Sequence, residues 1–273
     1  MKAMRLRLAK TLALVMVVCM GGLVLFVSMN GQDGRPDDEG SSVEVPAAQL
    51  AQRGAYLAQV GNCAACHTAR GGLPFAGGKN IDTPFGSVVT SNITPDRLTG
   101  IGAWTAADFW QAMHHGRSKD GRLLYPAFPY TEYTRITRDD TDALFAYLRS
   151  VQPVQQTNRP HALQFPYNTQ AALAAWRALF FSPEQFEPVK QQSDEWNRGA
   201  YLVKGLGHCQ ACHAPRNMFG ATQANSGLSG GLIPMQNWYA PSLSSPAEAG
   251  LQGWTIEEIM QLLKIGMTAS SST

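Results

Sequence analysis

Residues 63–67 read Cys-Ala-Ala-Cys-His, and residues 209–213 read Cys-Gln-Ala-Cys-His. In each copy the two cysteines are three positions apart, so on a helix both thiols lie on the same face. Cys-x-x-Cys-His is the attachment signature of c-type haem, in which the thiols bond to one porphyrin edge and the imidazole binds the iron. The sequence therefore predicts two haem c groups, covalently held by Cys63, Cys66, Cys209 and Cys212, with His67 and His213 as proximal ligands of the iron.

Paired cysteines also occur in zinc sites, redox-active dithiols and structural disulfides. Zinc-binding pairs usually lie closer together than Cys66 and Cys209, which are separated by more than half of the chain. A thioredoxin-like dithiol needs a βαβ surrounding that the flanking residues do not suggest. None of the three alternatives explains a histidine directly after both pairs, so haem is the favoured interpretation.

The overall composition limits the possible functions. At 273 residues the chain is long enough for two small domains, in agreement with the spacing of the two motifs. Charged residues make up 15% of the chain and the net charge is only +2, so the sequence gives no indication of a nucleic-acid partner. Four of the five cysteines belong to the motifs, which leaves no disulfide framework.

The N-terminus has the features of a membrane anchor. Four basic residues come first, and residues 11–29 then run without a charge. A helix of this length measures about 28 Å, close to the roughly 30 Å hydrocarbon core of a bilayer and longer than an ordinary secretory segment. We expect a retained transmembrane helix whose basic flank stays in the cytoplasm, with the haem domains on the periplasmic side of the bacterial inner membrane.

The internal repeat extends beyond the haem motifs. Residues 53–57, Arg-Gly-Ala-Tyr-Leu, recur as residues 198–202. A glycine within a helix costs about 1 kcal/mol, so Gly54 and Gly199 are each predicted to mark a close crossing by another helix. In the first copy the apolar stripe at residues 141–151 identifies that partner helix.

A second pair of helices is predicted from matching caps. Thr105 and Thr255 both follow a tryptophan and have the character of helix N-caps. Each helix is predicted to end at a glycine, Gly116 in the first copy and Gly266 in the second.

Two further motifs of the first copy are Ser91-Asn-Ile-Thr-Pro-Asp96 and Tyr125-Pro-Ala-Phe-Pro-Tyr130. With these motifs the chain resembles the membrane-anchored, multi-haem cytochrome c subunits of bacterial periplasmic dehydrogenases that act on alcohols, aldehydes, gluconate and related substrates. The resemblance covers residues 48–266. It implies that a partner dehydrogenase subunit performs the catalysis, and that this chain, which is not itself an enzyme, passes electrons towards ubiquinone or a terminal oxidase. The Pro-Ala-Phe-Pro-Tyr variant looks most like the subunits that accompany molybdenum-containing aldehyde or N-heterocycle dehydrogenases.

The resemblance and the repeat together predict an all-α chain. An N-terminal membrane anchor (1–30) and a flexible linker (31–47) precede two tandem class I cytochrome c-like domains (48–152 and 193–273), which are joined by an ordered, proline-rich strap (153–192). The second domain is incomplete, because the loop and the closing helix of the first domain have no counterpart after Gly266. We therefore expect Tyr201 and Leu202 to lack the helix that would bury them, and the chain to be a fragment or a truncated gene product. The resemblance implies that a third haem domain follows Thr273.

Two other functions fit a di-haem protein. One is the di-haem subunit of a terminal oxidase, which would also combine an N-terminal helix with two such motifs. The other is a di-haem peroxidase, which needs an iron with an exchangeable sixth position. The sequence offers no distal arginine, glutamate or histidine constellation for a peroxidase.

The sixth ligand of the first haem iron is the main departure from the family pattern. The family most often has methionine where this sequence has Phe128, and phenylalanine cannot ligate iron. Met113, His114 and His115 are the candidates, the alternative being that all three pack or face solvent and the iron is five-coordinate. Core packing accounts for Met113. His115 is the favoured candidate, because it lies nearest the loop that would have carried the methionine.

Two arginines follow the haem motifs at the same offset. Arg70 and Arg216 are predicted to contact the haem propionates, the alternative being that each is an ordinary solvated arginine.

Overall fold

The computed structural model describes residues 21, 46–223, 226–233, 235, 237–244 and 250–267. The predicted membrane anchor and linker lie outside this part of the chain, apart from residues 21, 46 and 47. No helix among the described residues is long and apolar enough to cross a membrane. The transmembrane helix in the predicted fold class therefore finds no support.

Nine α-helices and five strands are present in the described part of the chain. The helices are α1 (Ala47–Val60), α2 (Cys63–His67), α3 (Ala106–His115), α4 (Tyr130–Tyr133), α5 (Arg138–Ser150), α6 (Gln170–Phe180), α7 (Asp194–Lys204), α8 (Gln210–His213) and α9 (Ile256–Ile265). The strands are β1 (Asn80–Thr83), β2 (Gly86–Val89), β3 (Ala162–Leu163), β4 (Gly231–Ile233) and β5 (Trp238–Ala240).

The prediction of an all-α fold is wrong, because two small antiparallel sheets accompany the helices. β1 and β2 form a hairpin in which Asn80 pairs with Val89, and β3 pairs with β2. β4 and β5 form the second sheet. Each strand is only two to four residues long. That is too short for the alternation of apolar and polar residues by which a strand is recognised in a sequence.

The first domain is built around the crossing of α1 and α5. A Cβ atom on Gly54 would lie 1.9 Å from the backbone oxygen of Ala143, so only glycine permits this approach. Leu144 and Leu148 of α5 are buried in the same core. The helix crossing predicted from Gly54 is therefore confirmed.

The predicted caps of α3 and α9 are also confirmed. Thr105 and Thr255 each accept a hydrogen bond from the backbone N–H three residues later, in complete capping boxes. Gly116 and Gly266 end the two helices with positive φ angles of 57° and 70°. These ends fix the length of α3, which forms one wall of the site described below.

The second copy of the Arg-Gly-Ala-Tyr-Leu helix packs differently from the first. No described atom lies within 4 Å of a Cβ built on Gly199, so the second predicted crossing is absent from the described residues. Tyr201 is nevertheless covered, with 5% of its surface exposed. Its hydroxyl donates to Asp140 Oδ2 at 2.7 Å and accepts from the backbone N–H of Thr137 at 3.1 Å. The expectation that Tyr201 lacks its cover is wrong, because α7 packs against α5 of the first copy.

The strap between the copies contacts both of them. The side chain of Asn92 donates to the carbonyl oxygen of Val154 at 2.7 Å, and β3 extends the first sheet. Further along, Trp176 Nε1 donates to the carbonyl oxygen of Phe219, in the second copy, at 2.9 Å. The strap thus fixes one side of the first domain and touches the second.

Candidate haem-binding site

Both Cys-x-x-Cys-His motifs adopt the same local structure. Each begins after a residue with a positive φ angle, 49° at Asn62 and 39° at His208, and continues as a short helix, α2 or α8. In the first motif Cys63 packs against the apolar core, and burial raises the pKa of its thiol to about 12. All four motif cysteines are free of disulfide bonds.

The two motif histidines are oriented by equivalent hydrogen bonds. His67 Nδ1 lies 2.7 Å from the carbonyl oxygen of Ser91, and His213 Nδ1 lies 2.8 Å from that of Pro241. A carbonyl oxygen can only accept, so Nδ1 carries the proton in both rings and the lone pair on Nε2 is left for a metal ion. Burial also lowers the pKa of His67, which favours the neutral form that ligates metals.

The first motif and part of the second open into one large cavity. Its volume is about 1630 Å³, whereas an ordinary small-molecule pocket measures roughly 300–1,000 Å³. The lining includes Cys63, Cys66 and His67 of the first motif and Cys212 of the second, whereas Cys209 and His213 are not among its described lining residues. Around the first motif the wall is apolar, as a porphyrin face requires, and it is formed by Ile101, Phe109, Met113, Phe128, Leu144 and Leu148. The size, the apolar wall, the paired thiols and the oriented imidazole all fit a covalently bound haem.

The two motifs lie close to each other. Burial is the main cause that raises the pKa of the Cys66 thiol, Lys79 lowers it, and Cys212 of the other motif raises it further. The rings of Tyr133 and His208 meet edge to face between the two motifs, with centroids 5.6 Å apart. The residues that would attach the two haem groups therefore lie in neighbouring parts of the fold.

The two arginines predicted to contact propionates occupy different places. Arg70 is exposed and is not among the described residues that line the cavity. Arg216 lines the cavity, and its guanidinium donates to the carbonyl oxygens of Gly220 and Ala211. Only Arg216 is thus brought to the site.

Other cations on the cavity wall were missed by the sequence analysis. Arg122 comes from the loop after α3, and Arg159 comes from the strap, where it donates to Gly78 O and Asn80 Oδ1. Both carry the charge that would complement haem carboxylates. No sequence signal could have found them, because neither follows a haem motif and only the folded strap brings Arg159 to the wall.

Of the three predicted candidates for the sixth ligand, only one lies on the cavity wall. Met113 lines the cavity, whereas His114 and His115 are not among its described lining residues. His114 is buried in a stack on Trp110, with ring centroids 4.3 Å apart. Phe128 lines the cavity and meets Tyr133 edge to face, with centroids 5.4 Å apart.

The alternative uses of the cysteines receive no structural support. Among the described residues no group of three or more His, Cys, Asp or Glu side chains is arranged to hold a metal ion. The two short sheets are antiparallel, whereas a thioredoxin-like site would need parallel βαβ units.

Comparison with known proteins agrees with this geometry. The family described as Cytochrome c matches residues 51–152. A protein named "Diheme cytochrome c-type" from Cereibacter sphaeroides is 35% identical over 270 residues, which cover 97% of this chain and 87% of that protein. The chain belongs to the c-type cytochromes. The cytochrome therefore carries electrons through haem c.

The cytochrome is also similar to subunits of larger enzymes. It is 46% identical over 222 residues to a subunit of the nicotinate dehydrogenase of Pseudomonas putida, covering 81% of this chain and 18% of that protein. It is 42% identical over 226 residues to the gluconate 2-dehydrogenase cytochrome c subunit of Pantoea cypripedii, covering 80% of this chain and 51% of that subunit. The chain thus spans about half, or less, of the length of these two relatives.

Proposed function

We propose that the cytochrome binds two haem c groups, one at each motif, and passes electrons between them on behalf of a catalytic dehydrogenase subunit. The observation that carries this proposal is a cavity lined by Cys63, Cys66 and His67 of the first motif and by Cys212 of the second. Haem c bound at each motif would supply a one-electron redox centre there. The role of the chain is to hold the two haem groups in place.

Its own residues perform that role in three ways. The cysteine pairs fix each porphyrin edge, and Ser91 and Pro241 orient the imidazoles of His67 and His213. The apolar wall excludes water from the first site, which is one means by which a protein sets a redox potential. When bound, haem c supplies a one-electron redox centre, so the chain performs no bond chemistry.

The partner is proposed to be a dehydrogenase that oxidises an N-heterocyclic or aldehyde substrate. Support comes from the 46% identity to a nicotinate dehydrogenase subunit and from Phe128 in the Pro-Ala-Phe-Pro-Tyr loop. Electrons would continue to ubiquinone or a terminal oxidase. We place the haem domains on the periplasmic side of the bacterial cytoplasmic membrane, on the strength of the resemblance to periplasmic dehydrogenase subunits.

The test uses the holoprotein produced in a host that attaches haem c. Intact mass should show two covalent haems, and changing Cys209 and Cys212 to Ala should remove one of them. The holoprotein is then mixed without oxygen with the catalytic subunits of the Pseudomonas putida nicotinate dehydrogenase and nicotinate, or with a gluconate dehydrogenase and gluconate as control. Reduction of both haems only in the first mixture supports the proposal.

Three results would contradict it. A single haem by mass would remove the basis for transfer between two groups. Co-purification with haem-copper polypeptides would identify an oxidase subunit instead. Rapid consumption of hydrogen peroxide with a reduced donor would point to a peroxidase.

A further inference from the structure

Met113 lies on the wall of the first haem site in a fixed position. It is 5% exposed, lines the cavity, and follows Phe109 one turn later on the same face of α3. The capping box at Thr105 fixes the start of this helix. The other end is fixed at Gly116, where a Cβ would lie 2.6 Å from the ring of Tyr130. The backbone that carries Met113 is therefore held rigidly against the cavity.

Its thioether is a suitable ligand for haem iron. Sulfur of methionine is a soft donor, and Met with His is a common axial pair in c-type haem proteins. The side chain has three rotatable bonds, which let the sulfur adjust its position without movement of the helix. His67 comes from another part of the wall, at the end of α2, where Ser91 orients its ring.

Three of the histidine and tyrosine side chains on the described cavity wall are engaged elsewhere, and the other methionine on that wall, Met218, belongs to the second copy and is 84% exposed. The ring of His161 accepts from the backbone N–H of Val89 at 3.0 Å, beside the small sheet. His208 directly precedes the second motif and lies against Tyr133. The hydroxyl of Tyr133 itself donates to the carbonyl oxygen of Gly61.

The internal repeat provides a further argument. Thr105 and Thr255, the equivalent caps of α3 and α9, are 150 positions apart, and the same offset places Leu263 opposite Met113. Leu263 is 81% exposed, so the second copy does not repeat the buried position of Met113 on the cavity wall. The first copy has a thioether here and Phe128, which cannot ligate, in its loop.

We propose that Met113 supplies the sixth ligand of the iron in the first haem site, an inference that rests on the proposed function. The ligand then comes from α3 rather than from the loop at position 128. His114 and His115 serve helix packing and are not ligands. The first haem would have a His–Met axial pair, which gives a higher potential than a pair of histidines.

The test is spectroscopy on the full-chain holoprotein and on its Met113→Leu variant. Leucine is close to methionine in volume, so the core should tolerate the change. The ferric parent should show the methionine-to-iron charge-transfer band, and Met113→Leu should lose the share of that band that belongs to one haem. The reduced variant should also bind carbon monoxide at one haem, which the parent does not do at that site.

Two further variants serve as controls. Met260→Leu changes a methionine of α9 that is not among the described cavity-lining residues, and it should leave the band and the binding of carbon monoxide unchanged. His115→Ala tests the competing ligand and should also have no effect. A loss of the native ferric spectrum in His115→Ala would overturn the proposal.

The parent protein alone also decides the question if a variant fails to fold. A parent that carries both haems but shows no methionine-to-iron band would overturn the inference while leaving the proposed function intact. Retention of the full band in a haem-loaded Met113→Leu variant would also overturn the inference and leave the proposed function intact. A parent without covalent haem would overturn the proposed function and this inference together.

Discussion

Two glycines at equivalent positions of the repeat have opposite surroundings. The Cβ of Gly54→Ala would meet the backbone of α5 at 1.9 Å, and a backbone atom cannot move aside as a side chain does. We expect this variant to lose about 1–3 kcal/mol of unfolding free energy, the usual cost of overpacking, or more. Urea denaturation followed by circular dichroism measures the change.

Gly199→Ala is the matched control. No described atom lies near its Cβ, so the higher helix propensity of alanine should leave stability unchanged or raise it by up to about 1 kcal/mol. Equal losses in the two variants would show that α1 and α5 do not cross as described.

The buried carboxylate of Asp140 joins the two copies. It is 1% exposed, and Arg53 Nε of the first copy donates to it at 2.8 Å. Arg198, the equivalent arginine of the second copy, lies 3.4 Å from its other oxygen, and the hydroxyl of Tyr201 donates to that oxygen at 2.7 Å. Repeat-related side chains thus converge on one acceptor.

Replacing Tyr201 with Phe should therefore loosen α7. The change removes a buried hydrogen bond to a charged group, for which we expect a loss of about 1.5–3 kcal/mol in the free energy of unfolding. Tyr56→Phe is the matched control, since Tyr56 is 51% exposed and should change stability by less than about 0.5 kcal/mol. A Tyr201→Phe protein as stable as the parent would count against the Asp140 contact.

At the scale of single residues, the sequence predicted the interactions between groups that are close together in the chain. The spacing of Cys63 and Cys66 predicts a haem motif, and Thr105 predicts a cap, because in each case the interacting groups are a few positions apart. Asp140 carried no such signal. Its partners come from helices far apart in the chain, and only the tertiary fold brings them together.

At the scale of secondary structure, the helices were predictable and the strands were not. Helices such as α1 and α5 are long enough for an apolar stripe to repeat, whereas β3 has two residues and exists only because the strap passes beside β2. The packing of α7 was predicted wrongly for a different reason. Its sequence copies that of α1, which suggests a copy of the same partner helix, yet Tyr201 packs against the first domain instead.

The difference between α7 and α9 leads to a prediction about local stability. α7 has Tyr201 in the core, whereas none of the residues of α9 is buried, and Leu263 is 81% exposed. Segments with few buried contacts open most easily, so brief trypsin treatment of the holoprotein should cut after Lys264 before it cuts after Arg198 or Arg138. Mass spectrometry of the fragments gives the order, and early cleavage after Arg198 would contradict the docking of α7.

For the whole molecule, the two haem sites should contribute unequally to stability. Cys63 packs against a core that also contains Leu206 and Tyr201 of the second copy. A haem in the first site would therefore support both copies, since a group that binds only the folded state stabilises it. The second motif is less buried in apolar core: none of its residues belongs to that described cluster.

Changing both Cys63 and Cys66 to Ala should remove one haem and destabilise the whole chain. Without the porphyrin the apolar wall of the first site borders an empty or flooded space, and the packing of α7 on that core weakens with it. The corresponding change at Cys209 and Cys212 should remove the other haem and leave the first domain folded. Haem content from intact mass, together with thermal unfolding followed by circular dichroism, distinguishes the two variants. Equal losses of stability in the two variants would contradict the larger contribution of the first haem. A variant that still carries two haems would refute the assignment of its cysteines.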